Sequence, residues 1–403
     1  MLKYYRRMLI FWLNAFVAKL GKGKFNFGEK SLCIIYYGLI GDYIIFRNFL
    51  EALKQSDKYK DFKITLIGNS CFKNLALSLD SKFVDNFIWI DHKKLSKNII
   101  YRYKTFLQLS KLSFTELIVP TESRSILHTD LLALAIKSDK KITMVDCGRN
   151  IGNHAWGQKQ RQISDKWYNE LLPVDYSNDK CEFCINRQIF ERITKEKYPF
   201  KKPQILLPPS LTLSNNIALP QKYIVFAVGG SIKGKKWPAL HFAELAKNIL
   251  ANSDYNIVFC GDKNDASESS EIQNQLSDSD RERTLDLCGK TSLSDLMLIL
   301  NKSSLLVAGE SSAVHMAVAL EANGAKNEIF VLFANRTYGR FAPYPESITK
   351  KYHLMAHPNI EKDENGNPKI EIFENNEMLP IKEITPERVF EEISNYLTIS
   401  INN

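Results

Sequence analysis

The sequence predicts an α/β protein made of two doubly wound, Rossmann-like domains, and three observations carry that prediction. Short apolar runs, many of them β-branched, recur along the chain with helix-length segments between most of them. These runs fall into two sets of five: SLCIIYYG, FKITLIG, NFIWI, ELIVP and KITMVD, then YIVFAVGG, NIVFCG, LDLCG, SLLVAG and EIFVLFA. Continuous apolar strands alternating with helices indicate parallel sheets covered on both faces. Between the sets lies a connection carrying Pro199, Pro203, Pro208, Pro209 and Pro220, which no helix would sustain. The chain is accordingly expected to divide into residues 1–24, 25–210 and 211–403, the last two being the domains.

Length and composition agree with this division. At 403 residues and 44% hydrophobic content, the chain has enough apolar material for two cores, and wholesale disorder is excluded. Lys and Arg exceed Asp and Glu by 54 to 45, a net +9, which favours an anionic partner: a phosphate-bearing small molecule, a membrane surface or nucleic acid. An odd number of cysteines, with Cys33, Cys260 and Cys288 inside apolar runs, reads as small core residues in a reducing compartment. Cys181 and Cys184 form a lone CEFC with no second pair at zinc-like spacing, so no metal site is expected.

The first segment, residues 1–24, carries Lys3, Arg6, Arg7, Lys19, Lys22 and Lys24 and no acid before Glu29. Its apolar stretch from Met8 to Ala18 is short of the roughly 20 residues that span a bilayer. It reads as an interfacial helix, with Phe11, Trp12 and Phe16 entering the headgroup boundary, or as a surface helix packed on the domain.

In parallel α/β sheets, ligands bind outside the carboxyl ends of the strands, so function is sought in the strand-end loops, on a cleft that two such domains would share. The first run ends in YYGLIGDYIIF, where Asp42 stands at a helix start. Its two readings are a helix cap, worth about 0.5–2 kcal/mol, and a general base. The first run of the second set ends in GGSIKGKKWPAL: glycines such as Gly230 let backbone approach a phosphate, Ser231 offers a hydroxyl and Lys235 a point charge. The stretch misses the P-loop pattern, because Lys236 stands where a magnesium-binding hydroxyl belongs and Trp237-Pro238 precede the helix. Asp262 and Asp265 follow the next strand, as ribose-binding acids do in nucleotide sites, or as turn caps.

GESSAVHMAVAL then places Ser311 or Ser312 at a helix N-cap after a strand, a ready anion site, with His315 one turn in. A loop with Arg336 and Arg340 is placed to clamp whatever that helix terminus binds.

These segments, taken in order, resemble glycosyltransferase family 9, the lipopolysaccharide heptosyltransferases and their relatives. The resemblance rests on GLIGDYIIFRNFL around Asp42, KGKKWP around Lys235, LCGKTSLSDLMLIL, GESSAVHMAVAL, GRFAPY and the terminal ITPERVFEEI, and covers most of the chain. It implies the GT-B architecture and an inverting, metal-independent glycosyl transfer without a resident cofactor. The donor is a nucleotide-diphosphate sugar, ADP-heptose, and the acceptor a lipopolysaccharide-core or related glycan. The resemblance makes Asp42 the base and places Gly230, Ser231, Lys235, Asp265, Glu310, Ser311, Ser312 and His315 around the donor. SRSILHTDLLALAI resembles the family's Arg-Ser-Ala-Leu-Leu helix, which makes Arg124 an acceptor contact.

Two residues depart from the family pattern: Glu310 stands where it has Asp, and Ser312 where it has Gly. The implied location is the cytoplasm, peripheral on the inner face of a bacterial inner membrane, with no nucleic-acid partner. Two alternatives share the fold: a nucleotide-sugar epimerase, and a degenerate member that binds nucleotide-sugar or lipid without transfer.

Overall fold

A computed structural model of the chain describes residues 2–20, 25–26, 30–121, 123–146, 155–177, 180–214, 216–230, 233–334, 338–360 and 379–397. The chain forms two compact units, residues 1–179 with 183–199 and residues 180–182 with 200–403.

The first unit is built on seven parallel strands: β1 (Phe25–Asn26), β2 (Ser31–Tyr36), β3 (Lys63–Asn69), β4 (Asn86–Ile90), β5 (Leu112–Val119), β6 (Lys137–Met144) and β7 (Glu170–Leu172). Their order is β4-β3-β2-β5-β6-β7, with β1 alongside the start of β5. Every residue of β2 is buried, because a central parallel strand has helices on both faces. The register sets Cys33 opposite Thr65 on one side and Leu117 on the other. The helices are α1 (Leu2–Ala18), α2 (Ile40–Phe46), α3 (Asn48–Gln55), α4 (Lys73–Asp80), α5 (His92–Lys97), α6 (Ile99–Leu109), α7 (Leu131–Ala135), α8 (Ala155–Asp165) and α9 (Glu182–Thr194).

The second unit repeats the plan with β8 (Tyr223–Ala227), β9 (Asn256–Cys260), β10 (Thr284–Asp286), β11 (Leu305–Gly309), β12 (Glu328–Phe333) and β13 (Tyr352–Ala356), in the order β10-β9-β8-β11-β12-β13. Its helices are α10 (Ala239–Asn252), α11 (Ala266–Asn274), α12 (Asp278–Glu282), α13 (Leu293–Lys302) and α14 (Ser312–Leu320), and a C-terminal helix Pro386–Leu397 that packs Val389 and Ile393 into the core. All ten predicted strands form. Among the described residues three more strands form, and they carry weak signals: β1 and β7 have two and three residues, and β13 is a half-buried edge strand with Tyr352 and His353.

In both sheets the order of strand addition reverses beside the first long strand, at β2/β5 and at β8/β11, and such a switch opens a crevice at the carboxyl ends of those two strands. The proline-rich connection lies along the second unit from residue 200 onward, so the expected cut near 210 falls inside that unit. Ile205 N–H donates to the Ala319 carbonyl at 2.9 Å, Leu207 N–H to Asn323 at 3.0 Å and Ser214 N–H to Asp295 at 2.9 Å. Prolines bar a helix here, but the remaining amides still find partners on the neighbouring surface.

The N-terminal helix α1 packs on the first unit and has two unlike faces. Phe11, Ala15 and Ala18 are buried, and Phe11 stacks on Trp167 with ring centroids 5.6 Å apart. Phe11 therefore faces inward, against the expectation that it enters a headgroup boundary: the 3.6-residue period turns it away from Trp12 and Phe16 onto the stripe of Ala15 and Ala18. Those two are 50% and 64% exposed, and Tyr5, Leu9 and Leu13 extend the same apolar surface.

Below α2, Arg47 Nη2 lies 2.7 Å from Asp80 Oδ1, and the Tyr43 hydroxyl donates to Asp80 Oδ2 at 2.7 Å. Burial lifts the Asp80 carboxyl above its usual range against the pull of Arg47. Arg47→Ala leaves that buried carboxylate without its partner, which typically costs about 3–5 kcal/mol. A urea unfolding titration of the variant is expected to show a loss of that order, and a change below about 1 kcal/mol, the level of an exposed pair, would refute the assignment.

Candidate active site

The crevice of the second unit is built from the two loops that leave β8 and β11. After β8 the chain passes Gly229 and Gly230, makes a short 3₁₀ turn over Lys233–Lys235 and enters α10 behind Pro238. After β11 it passes Gly309 and Glu310 and enters α14 with Ser311 as N-cap. The loops meet at backbone distance: a Cβ on residue 309 would lie 2.7 Å from the Lys235 carbonyl oxygen. Only glycine permits that approach.

Lys235 Nζ lies 3.0 Å from Glu310 Oε1, and both side chains are largely buried. The longer acid at position 310 thus spans the crevice to the lysine. Ser311 has extended backbone, but its hydroxyl makes no cap bond and is buried without a partner. Ser312 is the first helical residue and half-buried. The Ser311 hydroxyl thus lies beside the N–H groups of a helix start, which have no partner within the helix.

His315 is buried in the same helix, with Nδ1 2.9 Å from the Tyr344 hydroxyl. Burial pushes its imidazole down to about 4 against the charge of Glu310, and Lys235 deepens the depression. It is therefore neutral near pH 7 and offers an anion a hydrogen bond at most. Asp265 is buried and fully engaged: Oδ2 accepts from Asp262 N–H at 2.9 Å and Oδ1 from Lys236 Nζ at 2.7 Å. It also underlies the glycine pair, since a Cβ on Gly229 would meet Asp265 Oδ2 at 2.2 Å. Asp262 caps the following turn through Asn264 N–H. Arg340 pairs with Glu182 at 2.7 Å and lies over Phe341. Ser231 and Arg336 lie outside the described residues.

In the first unit, Asp42 occupies the first turn of α2 at the carboxyl end of β2 and is half-buried. Leu39 N–H donates to its Oδ2 at 2.7 Å, so one carboxylate oxygen does cap the helix. Tyr36 holds the Asp42 carbonyl through its hydroxyl at 3.0 Å, and a Cβ on Gly38 would lie 2.6 Å from the Asp42 Cβ. Cys71 feels the carboxylate: burial first and then the Asp42 charge push its thiol up to about 11.

Arg124 is wholly buried. It pairs with Asp130 at 3.2 Å and with Asp165, while Arg161 pairs with Asp130 and with Asp146 at 2.9 Å. Burial alone would lower the Arg124 guanidinium, but Asp130, Tyr168 and Asp165 outweigh it and hold the charge in place. An arginine so enclosed organises the loop that follows β5.

Sequence reasoning missed Tyr344 against His315, the bridge from Lys236 to Asp265 and Glu268, and the pairing of Lys235 with Glu310. The basic run KGKK did flag the lysines, but not which acid each one meets. Among the described residues, no group of three or more His, Cys, Asp or Glu side chains is placed to hold a metal ion, and Cys181 and Cys184 are buried in the interior.

The chain resembles known proteins along most of its length. Residues 131–369, more than half of the chain, match the family model of glycosyltransferase family 9 (heptosyltransferase). Lipopolysaccharide heptosyltransferase 2 of Salmonella typhimurium is 28% identical over 130 residues, which are 30% of this chain and 37% of that protein. The aligned stretch thus spans little more than a third of that relative. Among solved structures, a glycosyltransferase family 9 protein from Veillonella parvula superposes with a TM-score of 0.66 at 16% identity, covering 92% of this chain and 98% of that one. The Escherichia coli heptosyltransferase WaaC, solved with ADP-2-deoxy-2-fluoro heptose, gives a TM-score of 0.60 at 15% identity over 91% and 99% of the two chains. These structural likenesses concern the fold, which is GT-B: two Rossmann-like α/β units in one chain. With the family model spanning the last third of the first unit and most of the second, the chain belongs to glycosyltransferase family 9.

Proposed function

We propose that this protein is an inverting, metal-independent heptosyltransferase that moves a sugar from ADP-heptose to a lipopolysaccharide-core or related glycan acceptor. The observation that carries this reading is the anion site of the second unit: Gly309 packed on the Lys235 backbone, Lys235 beside Glu310, and the Ser311 hydroxyl buried without a partner at a helix start. It is supported by membership of the family and by a structural neighbour solved with an ADP-sugar analogue.

In the proposed step, Asp42 takes the proton of an acceptor hydroxyl. That oxygen bonds to the anomeric carbon from the face opposite the diphosphate. The bond to the diphosphate breaks, its electron pair leaves with ADP, and the configuration inverts. Negative charge grows on the departing phosphate, and Lys235 and the α14 terminus are the groups that answer it. Glu310 holds the lysine in place by its ion pair. The proposed roles of Gly230, Ser231, Asp265, Ser312 and His315 follow the same donor geometry, with Asp265 acting through Lys236 and Gly229. Arg124 shapes the acceptor side from within its ionic network.

We also propose that the protein works on the inner surface of a bacterial membrane. Support comes from α1, whose outward face is apolar through Tyr5, Leu9, Trp12, Leu13 and Phe16 and whose flanks are basic. Among the described residues no helix is long and apolar enough to cross a membrane.

Asp42→Asn retains a side-chain oxygen for the cap but no base. Turnover of ADP-heptose is expected to fall by about 10²–10⁴-fold with ADP affinity unchanged, and a variant with most of its turnover would show that Asp42 only caps α2. Lys235→Gln should weaken ADP binding by about tenfold or more, since a charge-assisted hydrogen bond is worth about 1.5–3 kcal/mol. Calorimetry with ADP checks this, and failure of ADP, UDP, GDP and CMP compounds to bind the unaltered protein at millimolar concentration would end the transferase reading. For the membrane, the protein should float with phosphatidylglycerol vesicles and less so as salt rises. The Trp12→Ser, Phe16→Ser double variant should stay in solution, and equal flotation would reject the anchor.

A further inference from the structure

A cavity of about 450 Å³ lies in the first unit between α1, the loop after β5 and α8, a volume in the range of small-molecule sites. One part of its lining is apolar, with Ile10, Phe11, Leu127, Leu131 and Trp156. The other part is cationic, with Arg7, Arg102, Arg124 and Arg161.

The four arginines are not equivalent. Arg124 and Arg161 are balanced by Asp130, Asp146 and Asp165. Arg7 and Arg102 form no ion pair among the described residues. Arg102 donates to the Leu95 and Ser96 carbonyls at 2.9 and 2.6 Å, and Arg7 lies over the Trp156 ring at 5.2 Å. Among the described residues, the cavity thus presents two cations that no acid pairs with, beside an apolar wall. Its polar lining is also incomplete. Asn14 Oδ1, Arg124 Nε and Arg161 Nε are buried without partners, on residues that are 3%, 0% and 6% exposed. Buried groups of this kind ordinarily find a partner, and a ligand is one way to supply it.

Ile10 connects this cavity to the outer face of α1, for it lines the cavity and is itself 42% exposed next to Leu9. Gln160 donates to the Arg7 carbonyl at 3.2 Å and ties α1 to α8 across one side. A ligand held here would be partly polar, partly apolar, and delivered from the surface that α1 presents.

We propose that the cavity under α1 binds an anionic amphiphile, with a phosphate against Arg7 and Arg102 and the first carbons of an alkyl chain against Ile10, Phe11, Leu127, Leu131 and Trp156. The geometry couples the enzyme to the phosphate-bearing lipid of the surface on which it sits. This rests on the membrane reading only for the source of the ligand, since the recognition itself is that of a phosphate joined to a chain.

The test is isothermal titration of the full chain with dihexanoyl phosphatidic acid below its micellar concentration, against dihexanoyl phosphatidylcholine, glucose 1-phosphate and inorganic phosphate. Saturable binding of the phosphatidic acid, about tenfold or more tighter than either water-soluble phosphate, is expected from an apolar contribution of a few buried methylenes at about 0.8 kcal/mol each. Equal affinity for inorganic phosphate or glucose 1-phosphate, or for the phosphatidylcholine, would overturn the proposal. Arg102→Gln should weaken the amphiphile about tenfold. Because Arg102 also holds two carbonyls, Ile10→Asp provides a second probe at a partly exposed position: it places a negative charge at the cavity and should abolish binding with the melting temperature unchanged. Binding unaltered by Ile10→Asp sinks the assignment. The Trp12→Ser, Phe16→Ser variant should still bind the soluble amphiphile. If the unaltered protein fails to float with vesicles yet binds dihexanoyl phosphatidic acid, the membrane reading falls and the cavity assignment stands.

Discussion

The contact between residue 309 and the Lys235 carbonyl governs the second unit. Two parallel neighbours, β8 and β11, send their connections to opposite sides of the sheet, and the loops that leave them must still close over a common crevice. They close backbone to backbone, at a distance where a Cβ on residue 309 would stand 2.7 Å from an oxygen. This contact brings Lys235 to Glu310 and sets the start of α14 beside both. A side chain at 309 would part the loops and separate the cation from the helix terminus. The first unit uses the same device in another form, where Gly38 lets the backbone after β2 turn hard against Asp42.

Burial decides how the charged groups behave. Lys235 and Glu310 pair in a largely buried crevice, so the lysine is held in one direction instead of moving freely in solvent. Arg124, Arg161, Asp130, Asp146 and Asp165 form a network that immobilises the loop after β5, and Arg47 with Asp80 does the same beneath α2. Breaking such buried pairs costs far more than breaking exposed ones, because the remaining charge has no water to turn to. These loops of the first unit are therefore held by ionic contacts, not only by apolar packing.

The helix α1 has two unlike faces. Its inward stripe of Phe11, Ala15 and Ala18 completes the core of the first unit, while its outward stripe remains apolar and unmatched by protein. The arginine-lined cavity beneath it lies next to both. The proposed lipid contact rests on this apolar exposure beside Arg7 and Arg102, which form no ion pair among the described residues.

Much of this was legible in the linear sequence. Ten strands, the two-unit plan, the helix starts at Asp42 and Ser311 and the glycine-rich turn before Lys235 are local features, because apolar period, cap chemistry and glycine tolerance act within a few residues. The tertiary structure alone decided what each candidate meets. Asp265 turned out to be bound to Lys236, Arg124 to be enclosed by aspartates, His315 to be neutral beside Tyr344, and Phe11 to point inward. Partners such as Lys235 and Glu310 lie 75 positions apart along the chain, a separation at which no local propensity acts. Burial and pairing belong to the packed whole, and they determine whether a charged residue in a strand-end loop faces a ligand or another side chain.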